Sequence, residues 1–331
     1  MRHFFERLWY ERHPAFVFFL PLTGLFCAAV ALRRWLYRRG LFKVHRLALP
    51  VLVIGNIHVG GVGKTPLVIA VVEALRARGR RPGVISRGYG GEAGNRVHAV
   101  SPSSDPAVVG DEPLLIAQRT GVPIRVARSR VEAAQALINE TDCDCIIADD
   151  GLQHYALGRS LEWVVMDAAR GLGNGYCLPA GPLRESPQRL QSVDAVIWNG
   201  QPSSTERTDA AAFILEPDRL WLWDDPSQTR PLSDFAGMPA HAVAGIGHPQ
   251  RFFQRLRKAG IEVFEHPFAD HHAFRPSDFQ GMRGSILLTE KDAVKLPPNW
   301  IPQPDQSIWV VPVQAQANAA LQRLLDHLFK R

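Results

Sequence analysis

Cysteine is scarce in this chain, with four among 331 residues. Cys143 and Cys145 stand two apart, on one face of an expected strand. No further Cys or His lies near them at ligand spacing, so they read as core residues and not as a metal site. Nothing in the pattern demands a disulfide, which suits a reducing compartment. Internal repeats and low-complexity stretches are absent. So is a basic nucleic-acid-binding face: residues 1–46 hold nine Lys/Arg against Glu6 and Glu11, leaving 29 basic and 30 acidic residues in the rest of the chain. The net charge of +6 is therefore a property of the N-terminus. A dinucleotide fingerprint is missing as well. Gly245-Ile246-Gly247 follows an apolar run, but Gln250 occupies the place of the third glycine.

What is present begins with a run free of charge, residues 14–32, close to the length that crosses a bilayer. It reads either as a single span with the basic flank Arg33, Arg34, Arg38 and Arg39 in the cytoplasm, or as a monotopic helix or hairpin interrupted at Pro21 and Gly24. Both readings imply membrane association. Further on, strand patterns at 51–55, 82–86, 123–127, 143–149, 161–167 and 193–198 alternate with helical patterns at 65–79, 110–120 and 129–140. Alternation of this kind predicts an α/β fold, a mostly parallel sheet with helices on both faces. Short strands at 211–215 and 220–223 read as a linker. A second α/β unit follows, with strands near 241–246, 261–265, 285–289 and 307–312 and helices near 248–259 and 316–330. The expected organisation is an N-terminal basic and hydrophobic membrane segment (1–46), a P-loop NTPase-like domain (47–208), a possibly two-stranded linker (209–240) and a smaller C-terminal α/β domain (241–331).

The strand 51–55 runs into His58-Val59-Gly60-Gly61-Val62-Gly63-Lys64-Thr65, and a helix follows. Glycines let backbone N–H groups approach phosphate oxygens, and the helix N-terminus adds partial positive charge. Lys64 would reach the β/γ-phosphates and the Thr65 hydroxyl would ligate Mg²⁺. In G-x4-G-K-[ST] the first glycine falls at His58, and Val59 stands where partitioning-type ATPases carry lysine. The strand 143–149 ends in Asp149 and Asp150, carboxylates of the kind a P-loop enzyme uses to hold Mg²⁺. Gly151-Leu152-Gln153-His154 continues along the same sheet edge. Ser86-Arg87-Gly88-Tyr89, Gly110-Asp111-Glu112-Pro113, and the stiff loop Leu178 to Glu185 with Arg184 also fall where strands end or helices open. In the second half, Asp270-His271-His272 follows a strand, and an Asp beside a His can orient an imidazole or raise its pKa.

The ordered set I-G-N-x-x-V-G-G-x-G-K-T-P (54–66), S-R-G-Y, G-D-E-P, A-D-D-G-L-Q-H, L-P-A-G-P-L-R-E, D-H-H and L-L-T-E-K-D-A-V-K closely resembles the tetraacyldisaccharide 4′-kinase family over nearly the whole chain. The resemblance implies ATP and Mg²⁺ as cofactors. The acceptor would be a tetraacylated glucosamine disaccharide 1-phosphate, phosphorylated on its 4′-hydroxyl to a bisphosphate in lipid A biosynthesis. It implies work at the cytoplasmic face of the inner membrane, on a lipid substrate and among anionic head groups, with no nucleic acid and no required protein partner. It places a catalytic pair on Asp111 and a histidine of D-H-H, with His271 taken ahead of His272. Asp149 and Asp150 would manage Mg²⁺. Arg87, Tyr89, Glu112, Gln153, His154 and Arg184 would contact phosphates or the sugar. Val62 departs from a small polar residue, a change that a backbone contact survives. The alternative is a membrane-associated P-loop switch ATPase acting on a protein partner, which would carry lysine at position 59. A soluble small-molecule kinase would leave residues 14–32 unexplained.

Overall fold

The computed structural model describes residues 2–11, 13–88, 91, 96–202, 209–297 and 299–329. At the N-terminus, α1 (Arg2–Tyr10) and a 3₁₀ segment (Pro14–Phe19) lead into α2 (Leu20–Arg38). Pro14–Arg38 is long and apolar enough to cross a membrane. Only part of its surface meets the protein: Thr23 is buried, and Phe26 and Cys27 pack against the core. Phe18 is 85% exposed and Leu25 69% exposed.

Next come β1 (Val51–Gly55), α3 (Lys64–Arg76), β2 (Pro82–Ser86), β3 (His98–Val100), α4 (Pro106–Val109), α5 (Asp111–Thr120), β4 (Ile124–Val126), α6 (Arg130–Glu140), β5 (Cys145–Asp149), β6 (Leu161–Asp167), β7 (Ala195–Asn199) and β8 (Ala212–Pro217). They build a nine-stranded sheet together with a strand from the far end of the chain. β1 lies between β5 and β6, parallel to both, and all five of its residues are buried. A continuous apolar run is what a parallel strand covered on both faces requires. Leu67, Val68, Val71, Val72 and Leu75 of α3 cover one face, joined by α5. Val131, Ala133, Ala134 and Leu137 of α6 cover the other, with Leu152, Leu157 and Leu183. Ligands in such sheets gather at the carboxyl ends of the strands.

The second sheet holds β9 (Leu220–Leu222), β10 (Thr229–Arg230), β11 (Pro239–Ala244), β12 (Glu262–Pro267), β13 (Gly284–Thr289) and β14 (Gln306–Val311), in the order β10-β9-β14-β13-β11-β12. α7 (Pro249–Lys258) and the short α8 (Glu290–Ala293) accompany it. Its four strands from β11 to β14 are parallel, and β9 and β10 add antiparallel at one edge.

Two expectations about organisation are corrected. Residues 209–240 are not a self-contained two-stranded linker: β8 pairs with β7 of the first sheet, and β9 pairs with β14 of the second. Residues 241–331 do not stay in one unit either. After β14 the chain returns as β15 (Val313–Ala317), antiparallel to β8, and α9 (Ala319–His327) buries Leu321 and Leu325 in the core beneath α3. The reason is apolar area: leucines of α9 join the core cluster against α3, and β15 pairs an edge of the first sheet.

Candidate active site

The loop from β1 to α3 has the backbone of a phosphate cradle. Gly60 and Gly63 take φ of +98° and +87°, conformations that L side chains rarely adopt. At Gly63 a Cβ would also come within 2.5 Å of Asn199 Nδ2, which donates to the Val62 carbonyl at 3.0 Å. Val62 is buried in the core, and His58 is buried as well. Burial holds the His58 imidazole below its ordinary pKa. Position 58 therefore supplies backbone to the loop: it bridges to Leu183, and the Val59 amide donates to the Pro182 carbonyl at 2.9 Å. The loop 178–185 thus braces the cradle from below.

Lys64 Nζ lies 3.4 Å from Asn56 Oδ1 and 3.3 Å from Asp150 Oδ1. Arg184 Nη1 is 3.4 Å from the other Asp150 oxygen. Asp150 has φ of +49°, so the chain turns there and both strand-end carboxylates stay at the same edge. Asp150 would be raised by burial, but Lys64 and Arg184 hold it below its ordinary value. Asp149 behaves oppositely. It is fully buried, and burial, with the Glu112 charge next, pushes it up to about 7. Its Oδ2 accepts from Ser86 Oγ at 3.4 Å, and Oδ1 has no hydrogen-bond partner among the described residues. An orphaned, buried carboxylate oxygen near the Thr65 helix end fits a divalent cation. Among the described residues no three His, Cys, Asp or Glu side chains cluster to hold a metal alone. A cation shared with triphosphate oxygens needs fewer protein ligands.

Asp111 opens α5 directly after Gly110, whose φ is +88°. Its carboxylate is 4% exposed and meets His271 from the second sheet's side of the molecule. His271 Nδ1 lies 3.0 Å from Oδ2 and 3.2 Å from Oδ1. Burial opposes the Asp111 charge, but the His271 hydrogen bond and the Lys291 charge keep its pKa lowered. The same bond raises His271. His271 has φ of +61°, a conformation that turns the ring toward Asp111 at a backbone cost. His272 instead meets Asp278 at 2.9 Å, on its own side.

Other expected residues divide. Glu112 pairs with Lys291 Nζ at 2.8 Å. Gln153 Nε2 donates to the Asn56 carbonyl at 3.0 Å and to Glu185 Oε1 at 2.8 Å. The half-buried His154 imidazole is pushed down to about 4 by burial and then by Arg130, Arg159, Arg33 and Arg87. Arg87 is exposed at the same edge. Tyr89 lies outside the described residues.

The sequence motifs contain Asn56, Lys291 and Glu185 without assigning them a role, and Asp167 and Arg170 lie outside those motifs. Asn56 follows β1 directly and contacts Lys64. Lys291 lies 3.7 Å from Asp111 Oδ2 and 3.9 Å from Asp270 Oδ1, so with its contact to Glu112 it meets three carboxylates beside His271. Glu185 is buried and joins Gln153 to Tyr155 and Arg189. Asp167 at the end of β6 pairs with Arg251 of α7, and Arg170 donates to His248 at 2.8 Å. Gly245-Ile246-Gly247, which failed as a dinucleotide motif, covers the cradle: a Cβ on Gly247 would lie 3.5 Å from the Gly61 amide nitrogen. A charged residue just past a strand end was the available signal for Lys291 and Asp167.

Residues 15–330 match the family model described as Tetraacyldisaccharide-1-P 4'-kinase. The chain belongs to this kinase family. The family's curated members include the tetraacyldisaccharide 4′-kinases of Nitrosococcus oceani, 47% identical over 95% of this chain and 90% of the relative, and of Chromobacterium violaceum, 48% identical over 94% and 93%. Among solved structures, LpxK from Aquifex aeolicus, in its "apo" form in complex with ATP, superposes with a TM-score of 0.76. It is 24% identical and covers 96% of this chain and 99% of its own, which shows that the two share a fold.

Proposed function

We propose that this member of the family transfers the γ-phosphoryl group of ATP to the 4′-hydroxyl of a tetraacylated glucosamine disaccharide 1-phosphate, giving the 1,4′-bisphosphate of lipid A biosynthesis. The observation that carries the reading is the meeting of Asp111, at the cradle side, with His271 across the molecule. The cradle amides at 60–65 and Lys64 would hold the β- and γ-phosphates. Arg184, and Arg87 at the same edge, would face the charge that develops on the equatorial oxygens. Mg²⁺, held by Thr65 and Asp149 beside the phosphates, would neutralise charge as the phosphoryl group moves.

The 4′-oxygen forms a bond to the γ-phosphorus while the bond from that phosphorus to the β–γ bridging oxygen breaks, and ADP leaves with the electron pair. The hydroxyl proton passes to Asp111. A carboxylate of lowered pKa is adequate, because the hydroxyl becomes acidic only as the new O–P bond forms in a loose transition state. His271 holds the Asp111 oxygens in place, and Lys291 stabilises the pair. Most of the rate would come from positioning and charge neutralisation.

Membrane association belongs to the same reading. Thr23, Phe26 and Cys27 face the protein, so α2 would lie along the bilayer surface with Phe18, Leu22 and Leu25 in the lipid, as a monotopic element. The test is incubation with labelled ATP and the disaccharide-1-phosphate lipid in mixed micelles. A bisphosphorylated product is expected. ATP hydrolysis without a lipid product would overturn the reading in favour of a switch ATPase.

A further inference from the structure

A cavity of about 540 Å³ lies away from the kinase site, under the last turn of α2. Its walls include Arg34, Arg38, Arg46, Arg159, Arg189 and Glu162. Val51, the first residue of β1, and Ser160, just before β6, also line it. The cradle leaves the carboxyl end of β1, so one strand length, roughly 13 Å, separates the two sites.

The charges inside are not balanced. Arg189, itself buried, is held at 2.6 and 2.7 Å by Glu162 and at 3.3 Å by Glu185. Arg159 shares Glu162 at 2.6 Å. Arg34 donates to Ser192 Oγ at 2.6 Å, and no ion pair with a carboxylate engages Arg34, Arg38 or Arg46 among the described residues. Five guanidiniums against two carboxylates leave three positive charges around one cavity. Arg38 and Arg46 are exposed, so water carries part of this surplus; what the cluster offers is excess positive charge around one open cavity, and guanidinium forks match phosphate oxygens in pairs. The surroundings name the source of the anion. The cavity sits at the C-terminal end of the segment long and apolar enough to cross a membrane, and Trp35, Leu41, Phe42 and Val44 are exposed beside it. Apolar side chains next to a basic cavity suit a lipid whose chains lie in the bilayer and whose phosphate turns inward.

We propose that this cavity is a second lipid site, which takes the phosphate head group of an anionic phospholipid beside the anchor helix. It rests on the reading of residues 14–38 as a membrane segment. The site differs from the collar at large because Arg34, Arg159 and Arg189 are held in place by Ser192, Glu162 and Glu185, while the exposed Arg38 and Arg46 line the same cavity.

The experiment uses the full chain in a neutral detergent, with water-soluble short-chain phosphatidylglycerol as probe and phosphatidylcholine and inorganic phosphate as competitors. Binding of phosphatidylglycerol is expected to fall roughly tenfold or more in the double variant Arg38→Gln/Arg46→Gln. The variant Arg39→Gln/Lys43→Gln removes the same charge outside the cavity and should bind within about twofold of the parent. Phosphatidylcholine should not compete. Equal losses in both variants would reduce the effect to a diffuse basic field and overturn the proposal. Inorganic phosphate that displaces the lipid at equal concentration would assign the cavity to free phosphate and overturn the lipid source. Phosphoryl transfer in detergent, measured on the same samples, should be unchanged in both variants, which shows that they fold. Failure of transfer in the parent would overturn the kinase reading and leave the lipid-binding result standing.

Discussion

At the residue scale, the site separates carboxylates by environment. Asp149 is pushed up by burial with an oxygen to spare, Asp150 is held down by Lys64 and Arg184, and Asp111 is held down by His271 and Lys291. Three acids on one edge can therefore serve in different ways. Asp111→Asn keeps shape and hydrogen bonding but removes the proposed base. Turnover should fall by about 10² to 10⁴ with ATP affinity retained, measured by steady-state kinetics and nucleotide titration. A variant of full activity would remove Asp111 from the mechanism. The Asp111–His271 pair also sets a pH dependence. His271 is raised, so its contribution to stability is full below its unfolded pKa of about 6.5 and is lost as pH rises through its folded value. Asp111 is lowered, so its part is full above about 3.9 and is lost as pH falls through the folded value. The thermal midpoint deficit of His271→Gln should thus be largest between about pH 4 and 6.5 and should shrink on the alkaline side. A deficit that grows with pH would contradict the pairing.

At the scale of elements, the anchor and the cradle are joined through one loop. Thr23 Oγ1 of α2 donates to the Cys177 carbonyl at 3.3 Å and accepts from the Ala180 amide at 3.0 Å. Trp9 Nε1 of α1 donates to the Pro179 carbonyl at 3.0 Å. The same loop ends on Arg184, which pairs with Asp150, and its Pro182 carbonyl binds the Val59 amide. Thr23→Val is nearly isosteric and leaves the buried Ala180 amide without its partner. It should cost about 1–3 kcal/mol in chemical denaturation and lower turnover through the loop, though it touches no substrate. A stable variant with parental kinetics would separate anchor from site. β1, β2 and β4 to β7 were legible because parallel strands in a covered sheet read as largely apolar runs. β3 and β15 were not: each is short, lies at a sheet edge and leaves some of its side chains exposed, so no run marks it.

At the scale of the whole molecule, the proposed base Asp111 and its partner His271 come from parts of the chain 160 residues apart. Arg251 on Asp167, Lys291 on Glu112 and Arg119 on Glu290, the last at 3.0 Å, tie the second sheet's unit to the first, with Glu112 in the first turn of α5 and Arg119 in its last. The chain itself adds a tie, since β15 and α9 belong to the first sheet. Truncation after residue 312 should therefore unfold the kinase core, not merely shorten the second unit. Loss of the cooperative thermal transition, followed by circular dichroism, checks this. A truncated chain that melts cooperatively and binds ATP would show that β15 and α9 are dispensable.

The sequence alone determined the cradle at 60–65, the strand-end acids Asp149 and Asp150 and the apolar segment at 14–32, because each depends on residues adjacent in the chain: glycines at positive φ, a strand with its terminal carboxylates, an uncharged run. It also marked Asp111 and His271, but as members of separate motifs whose pairing rested on family resemblance. Tertiary structure decided that His271 and not His272 faces Asp111, that Lys291 joins them, that Glu185 links Gln153 to Arg189, and that the chain's end returns to the first sheet. Those facts depend on which surfaces meet when two sheets dock, and no local pattern of residues encodes a contact made only after distant apolar faces have been buried.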